Sequence, residues 1–189
     1  MEFTLFYEGE LRSNGDAAHK QKIRRALHPQ LKRLWQLDPL ASCQNYVQYP
    51  PTSIPSTISL IEVVGDFTFA PLISDKLGLA ACIKITMLRP ERPGQIVQQS
   101  GDIDNRLKTL FDALSVPPHL NQIPFGDRPT ATEAPFFCLL QDDRLITSVS
   151  VESERLLTQD ESAHNSHVVI LVHVKTRVTR HIFAAIPFL

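Results

Sequence analysis

The chain has 189 residues, a formal net charge of −1 at pH 7 and a pI near 6.6. This length predicts a single domain (residues 1–189) with a core of adequate size. The near-neutral charge excludes a chain that is basic overall, so any nucleic-acid binding must depend on local basic patches. No apolar run approaches the roughly 18 residues of a membrane span, and the first residues show no signal-peptide pattern.

The first half of the chain alternates strand and helix patterns. Residues 2–7 predict a short strand. Residues 17–37 predict a helix with its apolar positions on one side, and Pro29 is expected to kink or split it. Residues 59–64 predict a brief strand, and residues 79–88 predict a firmer one.

The segment 101–114, GDIDNRLKTLFDAL, predicts an amphipathic helix with an acidic start. Asp104, Lys108 and Asp112 are spaced i, i+4 and i+8, so they form one polar stripe along it. Asp102 lies at the expected N-cap, where the helix dipole favours a carboxylate or a phosphate. The apolar positions that share the neighbouring face are Ile103, Leu107, Leu110, Phe111 and Leu114.

A second acidic pair, Asp142–Asp143, lies at a short polar break between two strand-like segments, 136–141 and 145–152. Adjacent aspartates beside buried strands repel each other and are costly to desolvate. A bound dication, or exposure at a turn, would relieve that cost. Three carboxylates and a lysine brought together would suit divalent cations and a phosphate ester.

The end of the chain combines a strand with an apolar tail. Residues 168–178 predict a late strand, and residues 180–189 either support a dimer or pack on the protein's own core. Strands and helices are interleaved but the late strands are consecutive, so the predicted class is α+β. Cys43, Cys82 and Cys138 are widely spaced and show no C-x-x-C pairing. This predicts reduced thiols in a cytoplasmic protein, with Cys82 and Cys138 buried.

Basic residues are concentrated on the first helix and just before the acidic helix. One interpretation is a solvated helix face. The other is a surface that follows a phosphate backbone and contacts it without recognising bases. The residues concerned are Lys20, Lys22, Arg24, Arg25, Lys32, Arg33, Arg89 and Arg92.

The pattern D-x-D-N-x-x-K-x-x-x-D-A-L at 102–114, followed by the Asp142–Asp143 pair and an aliphatic strand, resembles the RusA family of Holliday-junction resolvases. The order of strands and helices is also similar. The chain departs from the family in a long connection at 115–135 and an insertion-like loop near 42–57. Its first loop also lacks the proline-rich turn of better-known members.

The resemblance implies a RusA-like α+β fold, a mixed β-sheet packed with two main helices. It also implies a small homodimeric endonuclease that cuts branched DNA with Mg²⁺, with Mn²⁺ as a second candidate cofactor. The residues that match the family's metal-binding aspartates are Asp102, Asp104 and Asp143. Lys108 matches its active-site lysine, and Asn105 and Asp142 match polar neighbours of that site.

The expected function is therefore a magnesium-dependent, structure-specific DNA endonuclease acting in recombination or repair. Three alternatives remain open at the level of sequence. The first is a DNA-binding module of the same fold that does not cleave. The second is a nuclease for other branched nucleic acids. The third is an interaction protein whose carboxylates merely cap and solubilise a helix.

Overall fold

The computed structural model describes residues 1–50, 58–90, 103–157 and 167–189. Within these residues there are two α-helices, α1 (Ala17–Trp35) and α2 (Ile103–Leu114). The strands are β1 (Glu2–Glu10), β2 (Glu62–Val64), β3 (Phe67–Ile73), β4 (Leu79–Arg89), β5 (Phe136–Leu140), β6 (Ile146–Arg155) and β7 (His167–Val178). The α+β class predicted from the sequence is confirmed.

The larger sheet has the strand order β1-β7-β4-β6. β7 is antiparallel to both of its neighbours, whereas β6 runs parallel to β4. Alternation along β7 gives the sheet one buried face, because Val168, Ile170, Val172 and Val174 are all buried. The opposite face carries polar residues, including the Glu2–Lys175 ion pair.

The smaller sheet has the order β2-β3-β5, with β2 antiparallel and β5 parallel to β3. Both faces of β5 are buried. One face joins a core shared with α1, α2 and the larger sheet, and the other forms a small aromatic cluster around Phe67, Phe69 and Phe136. The smaller sheet is thus packed on two sides, which fixes the position of the chain that follows β5.

Asp16 is the N-cap of helix α1, and its side chain accepts a hydrogen bond from the backbone N–H of His19 at 2.8 Å. Of the two expectations for Pro29, the split is wrong, because one helix runs from Ala17 to Trp35, and the kink stays a prediction. Pro29 lies on the exposed side, while Leu27, Leu31 and Trp35 are buried. Tertiary packing of that apolar side holds the helix together despite the proline.

The apolar tail packs on the protein's own core, as one of the two expectations held. Residues Phe183–Phe188 form a short 3-10 helix in which Ala185 and Phe188 are buried. The Phe188 ring contacts Trp35 edge-on and stacks on Tyr46. None of the helices in the described part of the chain is long and apolar enough to cross a membrane.

Candidate functional site

Helix α2 presents its polar stripe as the sequence predicts. Asp104 and Lys108 are exposed, and Asp112 is half-buried. Leu110 and Leu114, on the other side, are fully buried. Asp104 and Asp112 are about 12 Å apart along the helix axis, given a rise of about 1.5 Å per residue.

The buried side of α2 includes polar residues that the apolar pattern did not predict. Arg106 is buried and donates a hydrogen bond from Nη1 to the carbonyl oxygen of Leu11. The Thr109 hydroxyl oxygen accepts a hydrogen bond from the backbone N–H of Gly15 at 3.0 Å. The chain between β1 and α1 has backbone groups that need partners, and α2 supplies them. Ile103, Leu107 and Phe111, which the apolar pattern placed on the buried side, are only partly buried.

The predicted acidic break after β5 is a short 3-10 helix, Asp143–Leu145, with Asp142 as its N-cap. Asp142 accepts hydrogen bonds from the backbone N–H and the guanidinium of Arg144, at 2.9 and 2.8 Å. The pKa of Asp142 is lowered, first by the Arg144 side-chain hydrogen bond. Arg144 thereby stabilises the charge of Asp142 more than that of Asp143.

Asp143 lies where negative charges converge. Its pKa is raised, first by lost hydration and then by the charges of Asp142 and Asp112. The structure therefore brings Asp143 near the C-terminal end of α2, where Asp112 lies. A dication at this point would offset the repulsion between the carboxylates.

Asp112 forms an ion pair with Lys20 of α1, with 2.7 Å between Lys20 Nζ and Asp112 Oδ2. The two side chains are only 19% and 22% exposed, respectively. Arg24, one turn further along α1, donates hydrogen bonds to the carbonyl oxygens of Asp112 and Ser115 at 2.7 and 3.3 Å. Helix α1 thus holds the end of α2 through both side-chain and backbone contacts.

Asp112 and Asp143 line an open cleft of about 700 Å³, named here the acidic cleft. Its walls come from β2, the segment 115–118, the end of α2 and the turn 141–145. The acidic residues that line it are Glu62, Asp75, Asp112, Asp142 and Asp143, against one basic residue, Arg144. The charge of its lining suits cations, and would admit a phosphate only together with them.

Gln141 fixes another part of the wall of the acidic cleft. Its side-chain oxygen accepts hydrogen bonds from the Ser74 hydroxyl at 2.6 Å and the backbone N–H of Asp75 at 3.1 Å. Its amide nitrogen donates to Glu62 at 3.2 Å. The residue before the acidic pair therefore links the smaller sheet to the turn that carries Asp143.

The predicted metal ligands are only partly placed by the structure. Asp102 lies outside the described residues, as does Arg92 of the basic set. Asp104, Asn105 and Lys108 lie on α2, and Asp143 faces the acidic cleft. Among the described residues, no group of three or more histidine, cysteine or acidic side chains is arranged to hold a metal ion.

Many of the basic residues predicted to follow a phosphate backbone have internal roles. Arg24 and Arg89 are buried, each only 1% exposed, so the prediction of an exposed contact is wrong for both. Lys20 and Arg25 form ion pairs with acidic residues, and Lys32 donates to the carbonyl oxygen of Thr132 at 2.6 Å. Lys22 and Arg33 remain on the exposed side of α1. These interactions, between residues far apart in sequence, are invisible to a count of charges.

One residue of the acidic cleft, Asp112, has a partner that the sequence did not predict. The sequence places Asp112 on the stripe with Asp104 and Lys108, and the structure pairs it with Lys20 of α1. The i, i+8 spacing from Asp104 was the available signal, since it places both carboxylates on one stripe.

A scan of protein-family models and a search of curated proteins each returned no match to this chain.

Proposed function

We propose that this protein is a magnesium-dependent endonuclease that hydrolyses phosphodiester bonds in branched DNA. The observation that carries the proposal is the convergence of Asp143 and Asp112 at the acidic cleft, at one end of the helix stripe that also bears Asp104 and Lys108. The resemblance of the 102–114 motif to RusA-type resolvases supports the choice of substrate.

The donor chemistry fits a hard dication. Carboxylate oxygens are the ligands that Mg²⁺ prefers, and it commonly keeps several waters, so few protein ligands are needed. The raised pKa of Asp143, caused by lost hydration and neighbouring negative charge, is what a site short of positive charge would show. Asp143 would hold an ion at the acidic cleft, which when bound would polarise the phosphate and lower the pKa of a water. Asp104, with Asp102 as the second ligand that the resemblance implies there, would hold an ion at the start of α2, since Asp104 is about 12 Å along the helix from Asp112 and does not line the cleft.

The remaining groups of the stripe and the turn have distinct roles in this proposal. Lys108, exposed on the same stripe as Asp104, neutralises charge that grows on the phosphate during hydrolysis. Asn105 and Asp142 are polar neighbours, and Asp142 keeps Arg144 at the mouth of the acidic cleft. The exposed Lys22 and Arg33 contact the DNA backbone outside the cleft.

The proposal is tested with labelled four-way junction, duplex and single-stranded DNA, each incubated with Mg²⁺, Mn²⁺ or a chelator. We expect paired, metal-dependent cuts on the junction, as a homodimer with two sites would make. Asp104→Asn should abolish them. Asp66→Asn is the matched control, because Asp66 is an exposed aspartate whose partner is Arg128, at 3.6 Å.

Each other outcome has a definite meaning. Junction binding without cleavage under either metal would favour the DNA-binding module, and cuts confined to flaps or forks would change the substrate. Neither binding nor cleavage, together with no Mg²⁺-specific rise in melting temperature, would favour an interaction protein with inert carboxylates.

A further inference from the structure

The ion pair between Lys20 and Asp112 engages only one of the two carboxylate oxygens of Asp112. Lys20 Nζ lies 2.7 Å from Asp112 Oδ2. Asp112 Oδ1 has no hydrogen-bond partner among the described residues, and Asp112 lines the acidic cleft. One oxygen of Asp112 is therefore held by α1, and the other is available to a ligand in the cleft.

The backbone of Asp112 is held as firmly as its side chain. Arg24 Nη2 donates to the Asp112 carbonyl oxygen at 2.7 Å, and Arg24 Nη1 donates to Gln21 at 2.6 Å. Arg24 is buried, and it lies one helical turn after Lys20 on α1. Two successive turns of α1 thus fix the carboxylate and the main chain of the same residue.

We propose that Asp112 offers its second carboxylate oxygen to the ligand of the acidic cleft, and that Lys20 is the positioning residue that orients it. The inference rests on the proposed nuclease function. It replaces the prediction that Lys20 contacts DNA, since a lysine engaged with Asp112 and only 19% exposed is poorly placed to reach a phosphate backbone.

The surroundings of Asp112 explain why a positioning cation is needed. Asp143 and Asp142 face it from the turn, and Glu62 and Asp75 line the same cleft. Without Lys20, repulsion from these carboxylates would favour side-chain conformations of Asp112 that turn away from the cleft. Residues that support a ligand in this way commonly change activity by about 10- to 100-fold when they are replaced.

The two roles for Lys20 predict different measurements. A positioning role predicts that Lys20→Gln lowers kcat by about 10- to 100-fold while junction affinity, measured with Ca²⁺ in place of Mg²⁺, stays the same. A phosphate-contact role predicts weaker binding and a salt dependence whose slope falls by about one. Lys22→Gln, on the exposed side of the same helix, is the comparator that should weaken binding in this second way.

The experiment is a double-mutant cycle of Lys20→Gln and Asp112→Asn, with kcat, junction affinity and melting temperature measured for each protein. We expect each single variant and the double variant to lose kcat to a similar extent, because they remove one shared function. Lys20→Arg should recover most of the lost kcat, because it restores the positive charge. Lys175→Gln, which removes an exposed lysine on the polar face of the larger sheet, should leave kcat unchanged.

Additive losses of kcat in the cycle, or weaker binding with unchanged kcat in Lys20→Gln, would overturn the inference. If Lys20→Gln does not fold, Lys20→Arg and Asp112→Asn carry the test: normal kcat in Asp112→Asn would overturn it as well. Absence of cleavage by the unaltered protein would instead contradict the proposed function. In that case the salt dependence of junction binding would still be compared between Lys20→Gln and Lys22→Gln. A lower slope in Lys20→Gln than in the unaltered protein would overturn the positioning role.

Discussion

Two of the places where helix α1 contacts the rest of the protein differ in the charges that surround their carboxylates. At the acidic cleft, Lys20 engages one oxygen of Asp112. At the connection 115–135, Arg25 forms ion pairs with Asp127 and Glu133, both at 2.9 Å. The distances are similar, so the length of an ion pair does not distinguish a structural contact from a functional one.

What distinguishes the two places is the state of the carboxylates. Burial alone would raise the pKa of Glu133, but hydrogen bonds from Arg25 and Thr130 outweigh it and lower the pKa. At the acidic cleft, by contrast, lost hydration and the neighbouring charges raise the pKa of Asp143. The charge of Glu133 is compensated by its partners, whereas Asp143 at the acidic cleft faces an excess of negative charge that a bound cation would offset.

The largest effect that would test this contrast is expected from Asp143→Asn. If Asp143 holds a metal ion in a nuclease, the variant should lose cleavage by at least about 100-fold. The variant should also melt about 1 °C higher at pH 7 without metal, because the repulsion from Asp142 and Asp112 is removed. The expected rise is this small because Asp143 is exposed and solvent screens its charge. Cleavage assays and thermal melts without metal check the two effects.

The stability gain of Asp143→Asn should depend on pH in a defined direction. A carboxyl with a raised pKa in the folded state stabilises the protein while protonated and loses that contribution as pH rises through its pKa. The gain of the variant should therefore vanish below about pH 3.8, the ordinary value for aspartate. A variant that melts lower than the unaltered protein at pH 7 would contradict the excess of negative charge at the cleft.

The next effect concerns His28, which joins α1 to the connection and to β5. His28 Nδ1 accepts a hydrogen bond from the backbone N–H of Phe137 at 2.9 Å, and Nε2 lies 3.2 Å from the carbonyl oxygen of Thr132. These bonds require a neutral ring with its proton on Nε2. His28→Phe leaves the Phe137 N–H without this partner, so we expect a loss of about 1–3 kcal/mol in the free energy of unfolding, measured by urea denaturation.

The same variant changes how stability depends on pH. Burial lowers the pKa of His28, so the unfolded state binds a proton more readily and stability falls as pH drops below about 6.5. His28→Phe should weaken that dependence between pH 7 and pH 5. The exposed His173 is the control, and an equal weakening in His173→Gln would contradict the assignment to His28.

How far the sequence could predict these regions depends on the range of the interactions. Short runs typical of strands predicted β4 and β7, and the helical spacing predicted α2, because each pattern is local. Strand β3 was missed, since the run FTFAPLI has six buried residues out of seven and shows no alternation. The Lys20–Asp112 pair was missed because it depends on how α1 and α2 pack, which spacing within one helix does not specify.

The prediction of a basic surface shows the same limit. Arg24 and Arg25 are neighbours in sequence and both are basic, yet Arg24 is buried under the end of α2 and Arg25 pairs with the connection. Lys32 continues the second contact, one helical turn after His28. The helical period alone predicts that residues 25, 28 and 32 share a side, but not that this side contacts the connection.

A smaller effect is expected at the carboxylate that completes the connection. Glu133→Gln removes the charge that pairs with Arg25 and should cost about 1–2 kcal/mol of unfolding free energy, reduced by the partial exposure of Arg25. The lowered pKa of Glu133 means that its contribution is present at pH 7 and is lost as pH falls below about 4.5. Urea denaturation at pH 7 and at pH 4 measures both. An equal loss at the two pH values would contradict the assignment to its charge.

The smallest effect is expected from Glu152→Gln, the matched change in an exposed pair. Glu152 Oε1 lies 2.9 Å from Lys84 Nζ on the larger sheet, the same distance as that from Glu133 to Arg25, but both side chains are about half exposed, at 52% and 50%. Solvent screens the pair and the ordering of two long side chains opposes it, so we expect less than about 0.5 kcal/mol. Urea denaturation of the two glutamine variants in parallel separates distance from burial. Equal losses would mean that ion-pair distance, rather than burial, sets the strength of these contacts, and the contrast between Glu133 and the acidic cleft would lose its basis.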